Sequence, residues 1–312
     1  MMKRTIEREI WTGRTDEPST TENMRYHQVV SLQDQPDERP TCAIIGFECE
    51  EGVRRNAGRL GAAKAPDAIR AELAKLPWNY SDDCAVLDAG NVFCEGEAME
   101  EAQAELGHEV HNLLARQAIP IILGGGHETF YGHYLGARKW IGPEAKLGII
   151  NIDAHFDMRS YDKQPSSGTM FKQVMDSDER SSYFVIGIQR FGNTNELFER
   201  AKEMDVPFIL EEELHLGQAL QEIETFIDHH DFVILTLCMD VLNAAFAPGV
   251  SATSPFGLDP ASVRSIIRKV ASSPKTLSFD VCEVNPSLDE NGRTVKLGAY
   301  FANEAITSFL KR

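Results

Sequence analysis

Residues 151–159 concentrate side chains that could bind a metal ion. They read Asn-Ile-Asp-Ala-His-Phe-Asp-Met-Arg and follow the apolar residues 147–150. Successive side chains of a β-strand point to opposite faces, so Asp153, His155 and Asp157 are expected to share a face. Three polar side chains on a solvated edge would be the alternative. That alternative fits poorly, because the apolar run is typical of a strand covered on both faces, and we therefore predict a metal site.

Three further apolar runs end in residues of the same kind. These are His127 after residues 121–123, Cys238 and Asp240 after residues 232–237, and Glu283 after residues 277–281. Three glycines precede His127, and they allow a sharp turn and a close approach to a ligand. In open α/β sheets, ligands bind outside the carboxyl ends of the strands. We therefore expect all these residues at one edge of one sheet.

The candidate ligands are rich in oxygen and include two imidazoles. They are His127, Asp153, His155, Asp157, Cys238 and Asp240. This mixture favours manganese, with iron, cobalt and zinc as alternatives. Six ligands suit two ions about 3.5–4 Å apart that are bridged by carboxylates and hold a hydroxide between them. The metalloprotease pattern His-Glu-x-x-His is absent, because Tyr131 stands where its second histidine would be.

The segments that must position these residues alternate between strand and helix patterns. Short apolar runs such as residues 41–47 and 183–188 read as buried strands, and residues 97–117 have the spacing of an amphipathic helix. Such alternation predicts an α/β fold with a parallel sheet and helices on both faces. Residues 1–40 are polar and irregular, whereas residues 41–312 are expected to form a single domain.

Composition excludes several functional classes. The net charge of −17 arises from 48 acidic and 31 basic residues, and such a surface repels nucleic acid and anionic membranes. The six cysteines are scattered without a Cys-x-x-Cys pair, so neither a disulfide framework nor a zinc ribbon is expected. No signal-peptide pattern and no bilayer-spanning apolar run is found, which favours a cytoplasmic location.

Four blocks of this sequence resemble the ureohydrolases, the family of arginase, agmatinase and formimidoylglutamase. They are Gly-Gly-Gly-His-Glu at 124–128, Asp-Ala-His-Phe-Asp at 153–157, Met-Asp at 239–240 followed by Ala-Phe-Ala-Pro-Gly at 245–249, and Glu-Val-Asn-Pro at 283–286. Further features are most similar to formimidoylglutamase. They are the 124–128 block itself, the Asp-Met-Arg ending at 157–159, Ser167-Gly168-Thr169, Trp-Thr-Gly-Arg at 11–14 and Gly-Val-Arg-Arg-Asn at 52–56.

The resemblance implies a three-layer α/β/α sandwich with a mainly parallel, eight-stranded sheet, two Mn²⁺ ions, and trimers or hexamers. It also implies hydrolysis of N-formimidoyl-L-glutamate to L-glutamate and formamide in histidine degradation, by attack of a metal-bound hydroxide on the formimidoyl carbon. The six candidate ligands match family positions, although Cys238 does so with a different side chain. Asp157 would bind metal and orient the hydroxide, and Glu283 would face the amidine-like group of the substrate.

The sequence departs from the family pattern at two positions. Cys238 stands where most members have the first Asp of Asp-x-Asp, and a thiol must lose its proton before it binds a metal. Cys238 could therefore be a thiolate ligand or a small buried apolar side chain, and this choice puts the second ion in doubt. Phe171 stands where arginases carry a proton-shuttling histidine, so the proton donor to the leaving amine is unassigned.

The predicted substrate is a dicarboxylate, which requires cationic partners. Arg159 lies two residues beyond Asp157, and Arg190 follows the predicted strand at 183–188. Lys172 follows the turn at Ser167, Gly168 and Thr169, which also offers hydroxyl and amide groups. We assign these residues to substrate binding together with Glu283. Two alternatives stay open: another ureohydrolase that acts on a guanidino acid, such as a guanidinobutyrase or an agmatinase-like enzyme, and a metal-degenerate homologue that only binds a ligand.

Overall fold

Nine strands form a single sheet in the part of the chain that the structure describes. This computed structural model describes residues 2–17, 21–32, 39–80, 83–161 and 164–312. The strands are β1 (Lys3–Arg4), β2 (Thr41–Glu48), β3 (Ala85–Phe93), β4 (Ala118–Leu123), β5 (Leu147–Ile152), β6 (Ser181–Ile188), β7 (Phe208–Leu210), β8 (Phe232–Cys238) and β9 (Thr276–Cys282). The predicted mainly parallel sheet is confirmed. It has nine strands rather than eight, because β1 adds an antiparallel strand at the edge beside β3.

Helices cover both faces of this sheet. They are α1 (Tyr26–Val29), α2 (Glu51–Arg55), α3 (Ala65–Leu73), α4 (Met99–Ala115), α5 (Thr129–Ile141), α6 (Met170–Ser177), α7 (Asn195–Glu203), α8 (Leu216–Asp228), α9 (Pro260–Ala271) and α10 (Arg293–Leu310). One buried apolar cluster includes α3, α8, α9 and α10, and a second includes α4 to α7. Adjacent residues of β2, Ile44 and Ile45, belong to opposite clusters. The predicted three-layer sandwich is therefore confirmed. None of the described helices has both the length and the apolar character to span a membrane.

The four strands that end in candidate residues lie side by side. Their order across the sheet is β4, β9, β8, β5. Asp280 of β9 aligns with Ile122 of β4 on one side and with Thr236 of β8 on the other. Ile152 of β5 aligns with Leu237 of β8. Because these strands are parallel, their carboxyl ends open at the same edge of the sheet, which is where a site is expected.

Part of the N-terminal segment packs into the core next to β3. Trp11 is buried, and its indole Nε1 donates a 2.7 Å hydrogen bond to Oδ2 of Asp88. The same carboxylate accepts two hydrogen bonds from the fully buried guanidinium of Arg70, at 2.8 and 2.9 Å. A buried charge of this kind is tolerated because it is paired and hydrogen-bonded. The division of the chain at residue 40 stays a prediction.

Candidate metal centre

Two histidines and three aspartates converge at the edge formed by β4, β5, β8 and β9. Nδ1 of His127 lies 3.0 Å from Oδ2 of Asp153 and 3.0 Å from Oδ2 of Asp157. Nδ1 of His155 lies 3.1 Å from Oδ2 of Asp240 and 3.7 Å from Oδ1 of Asp153. Asp153 thus turns one oxygen towards each imidazole. This is the arrangement expected of a carboxylate shared by two metal ions.

Cys238 belongs to this cluster. Its Sγ, an imidazole nitrogen of His127 and a carboxylate oxygen of Asp153 all lie within 4.8 Å of one another. Burial and the surrounding carboxylates, those of Asp153 and Asp240 first, raise the pKa of the thiol well above its ordinary value. The sulfur is therefore placed as a ligand would be, but it keeps its proton unless nearby positive charge stabilises the thiolate.

The prediction that strand alternation directs Asp153, His155 and Asp157 to one face is wrong. Strand β5 ends at Ile152, so all three lie beyond the strand and are not aimed by its alternation. Asp153 Oδ1 accepts a 2.8 Å hydrogen bond from the backbone N–H of His155, which folds the chain back on itself. Asp157 then has a φ of +48°, a left-handed conformation that aspartate tolerates better than most residues. A turn, rather than a strand, brings these ligands together.

The glycines before His127 have a steric role. A Cβ on Gly125 would lie 1.9 Å from the carbonyl oxygen of Cys49, and a Cβ on Gly126 would lie 2.2 Å from Oε2 of Glu128. Both distances are far below van der Waals contact. The close approach predicted for these glycines is thus made to neighbouring protein atoms, and it sets the path of the loop that carries His127.

Two buried glutamates flank the cluster. Glu283 has a φ of +65°, and its Oε1 accepts a 3.0 Å hydrogen bond from the backbone N–H of His127. Burial, followed by the charges of Glu128 and Asp240, raises the pKa of Glu283 to about 8. Glu128 accepts a 2.9 Å hydrogen bond from the N–H of Gly52, and burial raises its pKa to about 7. The positive φ of a glutamate is costly, which is typical of a functional position.

The electrostatics of the cluster fit divalent cations. Burial opposes charge on His127 and His155, but the facing carboxylates outweigh it and raise the pKa of both imidazoles well above the ordinary value. Protons and metal ions compete for such groups, so a cation can take the place of those protons. In addition, Oδ1 of Asp240 is buried and has no hydrogen-bond partner among the described residues. A buried carboxylate oxygen without a donor is what a metal ligand requires.

A cavity of about 90 Å³ opens onto the cluster. Its lining residues are Val53, Asn56, Gly58, His127, His155, Asp157, Arg159, Ser167, Cys238, Asp240, Ser251, Ala252 and Glu283. Among the lining residues that the structure describes, Arg159 is the one lysine or arginine. Its Nη1 donates a 2.8 Å hydrogen bond to Oδ1 of Asn56, and it has no carboxylate partner in the described part of the chain. The cavity therefore joins an acidic end to a guanidinium.

The other residues assigned to the substrate are placed differently. Ser167 lines the cavity, while Gly168 and Thr169 are buried and are not among its described lining residues. The carbonyl of Gly168 accepts a 2.9 Å hydrogen bond from the backbone N–H of Arg159. The structure does not bring Lys172 and Arg190 to the lining of this cavity. Lys172 pairs with Asp176 one turn along α6. Arg190 lies 2.6 Å from Glu212 and 3.7 Å from Glu213. Nearby carboxylates thus satisfy both cations.

Phe171 packs against His127 and cannot donate a proton to the leaving amine. Its ring is fully buried, stacks on that of Tyr183 at 4.1 Å between centroids, and meets His127 edge-on at 5.6 Å. Asn56 and Ser251 line the cavity but were not predicted. For Asn56 a signal existed, because it ends the 52–56 motif. Ser251 lies in an irregular loop, and its spacing in the sequence carries no signal.

The sequence matches the arginase family over residues 40–307, which is most of the chain. The chain belongs to the arginase family. This confirms the resemblance to the ureohydrolases. The family match includes every residue of the candidate ligand cluster described above, from His127 to Asp240.

Several arginase-family proteins are similar to this one over nearly their full length. Formimidoylglutamase from Lysinibacillus sphaericus (strain C3-41) is 53% identical over 308 residues, which are 96% of each chain. Formimidoylglutamase from Geobacillus thermodenitrificans (strain NG80-2) is 51% identical over 311 residues, 97% of this chain and 96% of the relative. The crystal structure of Trypanosoma cruzi formiminoglutamase with Mn²⁺ has a TM-score of 0.83 at 24% identity and covers 93% of this chain and 99% of that one. At that identity the likeness concerns the fold.

Proposed function

We propose that this arginase-family protein is a manganese-dependent formimidoylglutamase, which hydrolyses N-formimidoyl-L-glutamate to L-glutamate and formamide. The observation that carries the proposal is the cavity that joins the ligand cluster and Glu283 to Arg159. A cationic amidine group and an anionic carboxylate in one small substrate match these two ends. The relatives that are 53% and 51% identical are both named formimidoylglutamase, which supports the same assignment.

The cluster would hold two divalent ions. His127 and Asp157 would bind one ion, His155 and Asp240 the other, and Asp153 would bridge them. When bound, such a pair of ions lowers the pKa of a water molecule and makes it a nucleophile at neutral pH. Manganese suits this set of oxygens and imidazoles, and the T. cruzi relative of the same fold was crystallised with Mn²⁺.

Cys238 decides the charge balance of this centre. As a thiolate it would join Asp153, Asp157 and Asp240 as a fourth anionic ligand, and four negative charges match two divalent ions. As a thiol it leaves three carboxylates, and the second ion would bind weakly. We propose the thiolate, because the sulfur lies among the ligand atoms rather than apart from them.

The chain's own residues would bind and orient the substrate. Glu283 would accept hydrogen bonds from the amidine group. The positive charge of that group would bring the raised pKa of Glu283 back down and keep the carboxylate ionised. Asp157, whose side chain is 14% exposed, would orient the attacking water. Holding the carbon and the nucleophile in line in this way accounts for much of the rate in such reactions.

Arg159 would bind a substrate carboxylate at the other end of the cavity. Asn56 occupies one of its N–H groups, and a guanidinium offers five, so a bidentate contact to a carboxylate stays available. The hydroxyl of Ser167 lines the same cavity and would add a hydrogen bond. Gly168 and Thr169 would then support the turn, rather than contact the substrate.

The decisive experiment is an assay of formamide release from N-formimidoyl-L-glutamate. We expect turnover with Mn²⁺, loss of turnover on chelation with recovery on adding Mn²⁺, and loss in Asp240→Ala. The same protein is tested on agmatine, arginine and 4-guanidinobutyrate with urea as the product. Turnover of one of these guanidino compounds alone would identify the guanidino-acid alternative instead.

The metal-degenerate alternative has one observation in its favour, which is the raised pKa of Cys238. It predicts a protein that binds a carboxylated ligand but holds almost no manganese. Metal analysis of protein purified with Mn²⁺ separates the two cases: close to two ions per subunit supports the enzyme, and close to none supports the binding protein.

We further propose that the protein works in the cytoplasm. We also propose that it assembles as a trimer or hexamer, as the family resemblance implies. Light scattering coupled to gel filtration gives the mass in solution. A mass near that of one 34.8 kDa chain would contradict this assembly.

A further inference from the structure

A chain of buried hydrogen bonds leads from the far side of His127 into the protein. Nε2 of His127 lies 3.0 Å from Oγ1 of Thr236, which in turn lies 2.6 Å from Oδ1 of Asp280. Oδ2 of Asp280 lies 2.5 Å from Nδ1 of His133, whose Nε2 lies 2.5 Å from Oγ of Ser278. All five side chains are at most 1% exposed. The opposite nitrogen of His127, Nδ1, is the one that faces Asp153 and Asp157.

The proton positions along this chain follow from counting donors. A threonine hydroxyl has one hydrogen, and the carboxylate of Asp280 accepts it. Oγ1 of Thr236 can then only accept from His127, which places a hydrogen on Nε2 of that imidazole. Nδ1 of the neutral ring is left with its lone pair, and it is Nδ1 that faces Asp153 and Asp157 at 3.0 Å. Three electron-pair donors thus meet where a cation would bind.

We propose that Thr236 and Asp280 are positioning residues that hold His127 in the Nε2–H tautomer, so that Nδ1 is free to bind the metal ion. This inference rests on the metal centre of the proposed function. A metal-binding histidine commonly donates its other N–H to an oxygen, and loss of that oxygen typically weakens metal affinity by 10- to 100-fold. Here the accepting oxygen is a hydroxyl whose own direction is set by a carboxylate.

The fold makes this arrangement rigid. Thr236 and Asp280 are directly paired in the register of β8 and β9, and Cys238 pairs with Cys282 two residues further along. The thiol of Cys282 also donates to Oδ1 of Asp280, at 3.1 Å. The carboxylate of Asp280 therefore contacts hydrogen-bonding side chains of β8, β9 and α5 at once. It cannot rotate without breaking several buried hydrogen bonds, which is costly.

A purely structural role is the competing explanation, because the same bonds tie α5 to the sheet. It predicts that loss of the Thr236 hydroxyl lowers stability and leaves metal affinity unchanged. Thr236→Val keeps nearly the same shape and removes the hydroxyl, whereas Thr236→Ser keeps the hydroxyl. Thr276→Val is a matched control. That threonine is also fully buried, begins β9, and donates to the carbonyl of Val270 at 2.6 Å, at the start of the strand whose other end carries Cys282 and Glu283.

The experiment measures the dissociation constant of Mn²⁺ by the EPR signal of the free ion, together with urea unfolding of the metal-free protein. We expect affinity to fall 10- to 100-fold in Thr236→Val. It should stay within about threefold of wild type in Thr236→Ser and Thr276→Val. Unchanged affinity in a folded Thr236→Val protein, or an equal loss in Thr236→Ser, would overturn the inference.

A neutron structure of the metal-loaded wild type keeps the inference testable if Thr236→Val does not fold. We expect a deuteron on Nε2 of His127, and a deuteron on Nδ1 would refute it. Failure of the proposed function would look different. In that case Mn²⁺ affinity would still fall 10- to 100-fold from wild type to Thr236→Val, but the wild type would release no formamide. This result would support the tautomer assignment and count against the proposed substrate.

Discussion

Replacing Arg159 with methionine should reduce turnover of the dicarboxylate substrate without harming the fold. Arg159 is exposed, and within the described residues its side chain makes one hydrogen bond, to Asn56. Methionine keeps the unbranched, flexible stem of the side chain and removes the guanidinium with its charge. We therefore expect the metal content and the unfolding midpoint of Arg159→Met to match those of wild type, while its interaction with a substrate carboxylate is lost.

The size of the effect follows from the contact that disappears. A hydrogen bond to a charged group contributes about 1.5–3 kcal/mol, and water around an exposed guanidinium favours the lower half of that range. Since 1.36 kcal/mol is a factor of ten, that lower half of the range, about 1.5–2.3 kcal/mol, corresponds to a fall of roughly 10- to 50-fold in kcat/KM for N-formimidoyl-L-glutamate. Lys172→Met and Arg190→Met are matched controls, because both cations are paired with carboxylates away from the cavity and should change kcat/KM less than about twofold.

Truncated substrates show whether the lost energy belongs to a carboxylate. 4-(Formimidoylamino)butyrate lacks the carboxylate next to the nitrogen, and 2-(formimidoylamino)butyrate lacks the distal one. One of the two should be turned over equally well by wild type and by Arg159→Met, because the partner of Arg159 is already missing. If Arg159→Met slowed both truncated substrates as much as the full one, or slowed none, Arg159 would not be the carboxylate-binding residue.

Three further changes probe the cluster, its loop and the fold. Cys238→Asp should bind the second Mn²⁺ at least about tenfold more tightly than wild type, because no thiol proton has to be displaced. Unchanged metal occupancy at limiting Mn²⁺ would contradict this prediction. Gly125→Ala places a Cβ 1.9 Å from the carbonyl oxygen of Cys49, so we expect the free energy of unfolding to fall by about 1–3 kcal/mol and bound metal to be lost. A variant that still binds its full complement of Mn²⁺ would argue against the steric role of this glycine. Asp259→Ala removes the N-cap of α9 and should cost about 1 kcal/mol in urea unfolding. Hydrogen bonding, from the Ser262 hydroxyl first, lowers the pKa of Asp259 in the folded state. The stability difference between wild type and Asp259→Ala should therefore be complete above about pH 4 and shrink at lower pH. A stability difference that does not change with pH would refute this role of the carboxylate.

The sequence by itself determined the layers of the fold and indicated which residue types make up the candidate metal centre. Alternating apolar strands and amphipathic helices leave few arrangements other than a covered parallel sheet, because each element has to bury its apolar face. Since sites of parallel sheets lie beyond the carboxyl ends, the residues after β4, β5, β8 and β9 could be grouped in advance. The ligand types then indicated the metal. All of this depends on local pattern and residue type.

Tertiary structure alone decided which residues share space and how they point. The order β4, β9, β8, β5 makes four distant segments neighbours, and no local pattern encodes that order. The turn after Ile152, with Asp157 at a positive φ, aims the ligands that strand alternation was expected to aim. Long charged side chains on the surface pair with whichever carboxylate lies nearest, as Lys172 and Arg190 do away from the cavity. Arg159 has no such partner among the described residues, and it lines the cavity. Contacts between residues far apart in the chain depend on packing, and packing exists only in the folded molecule.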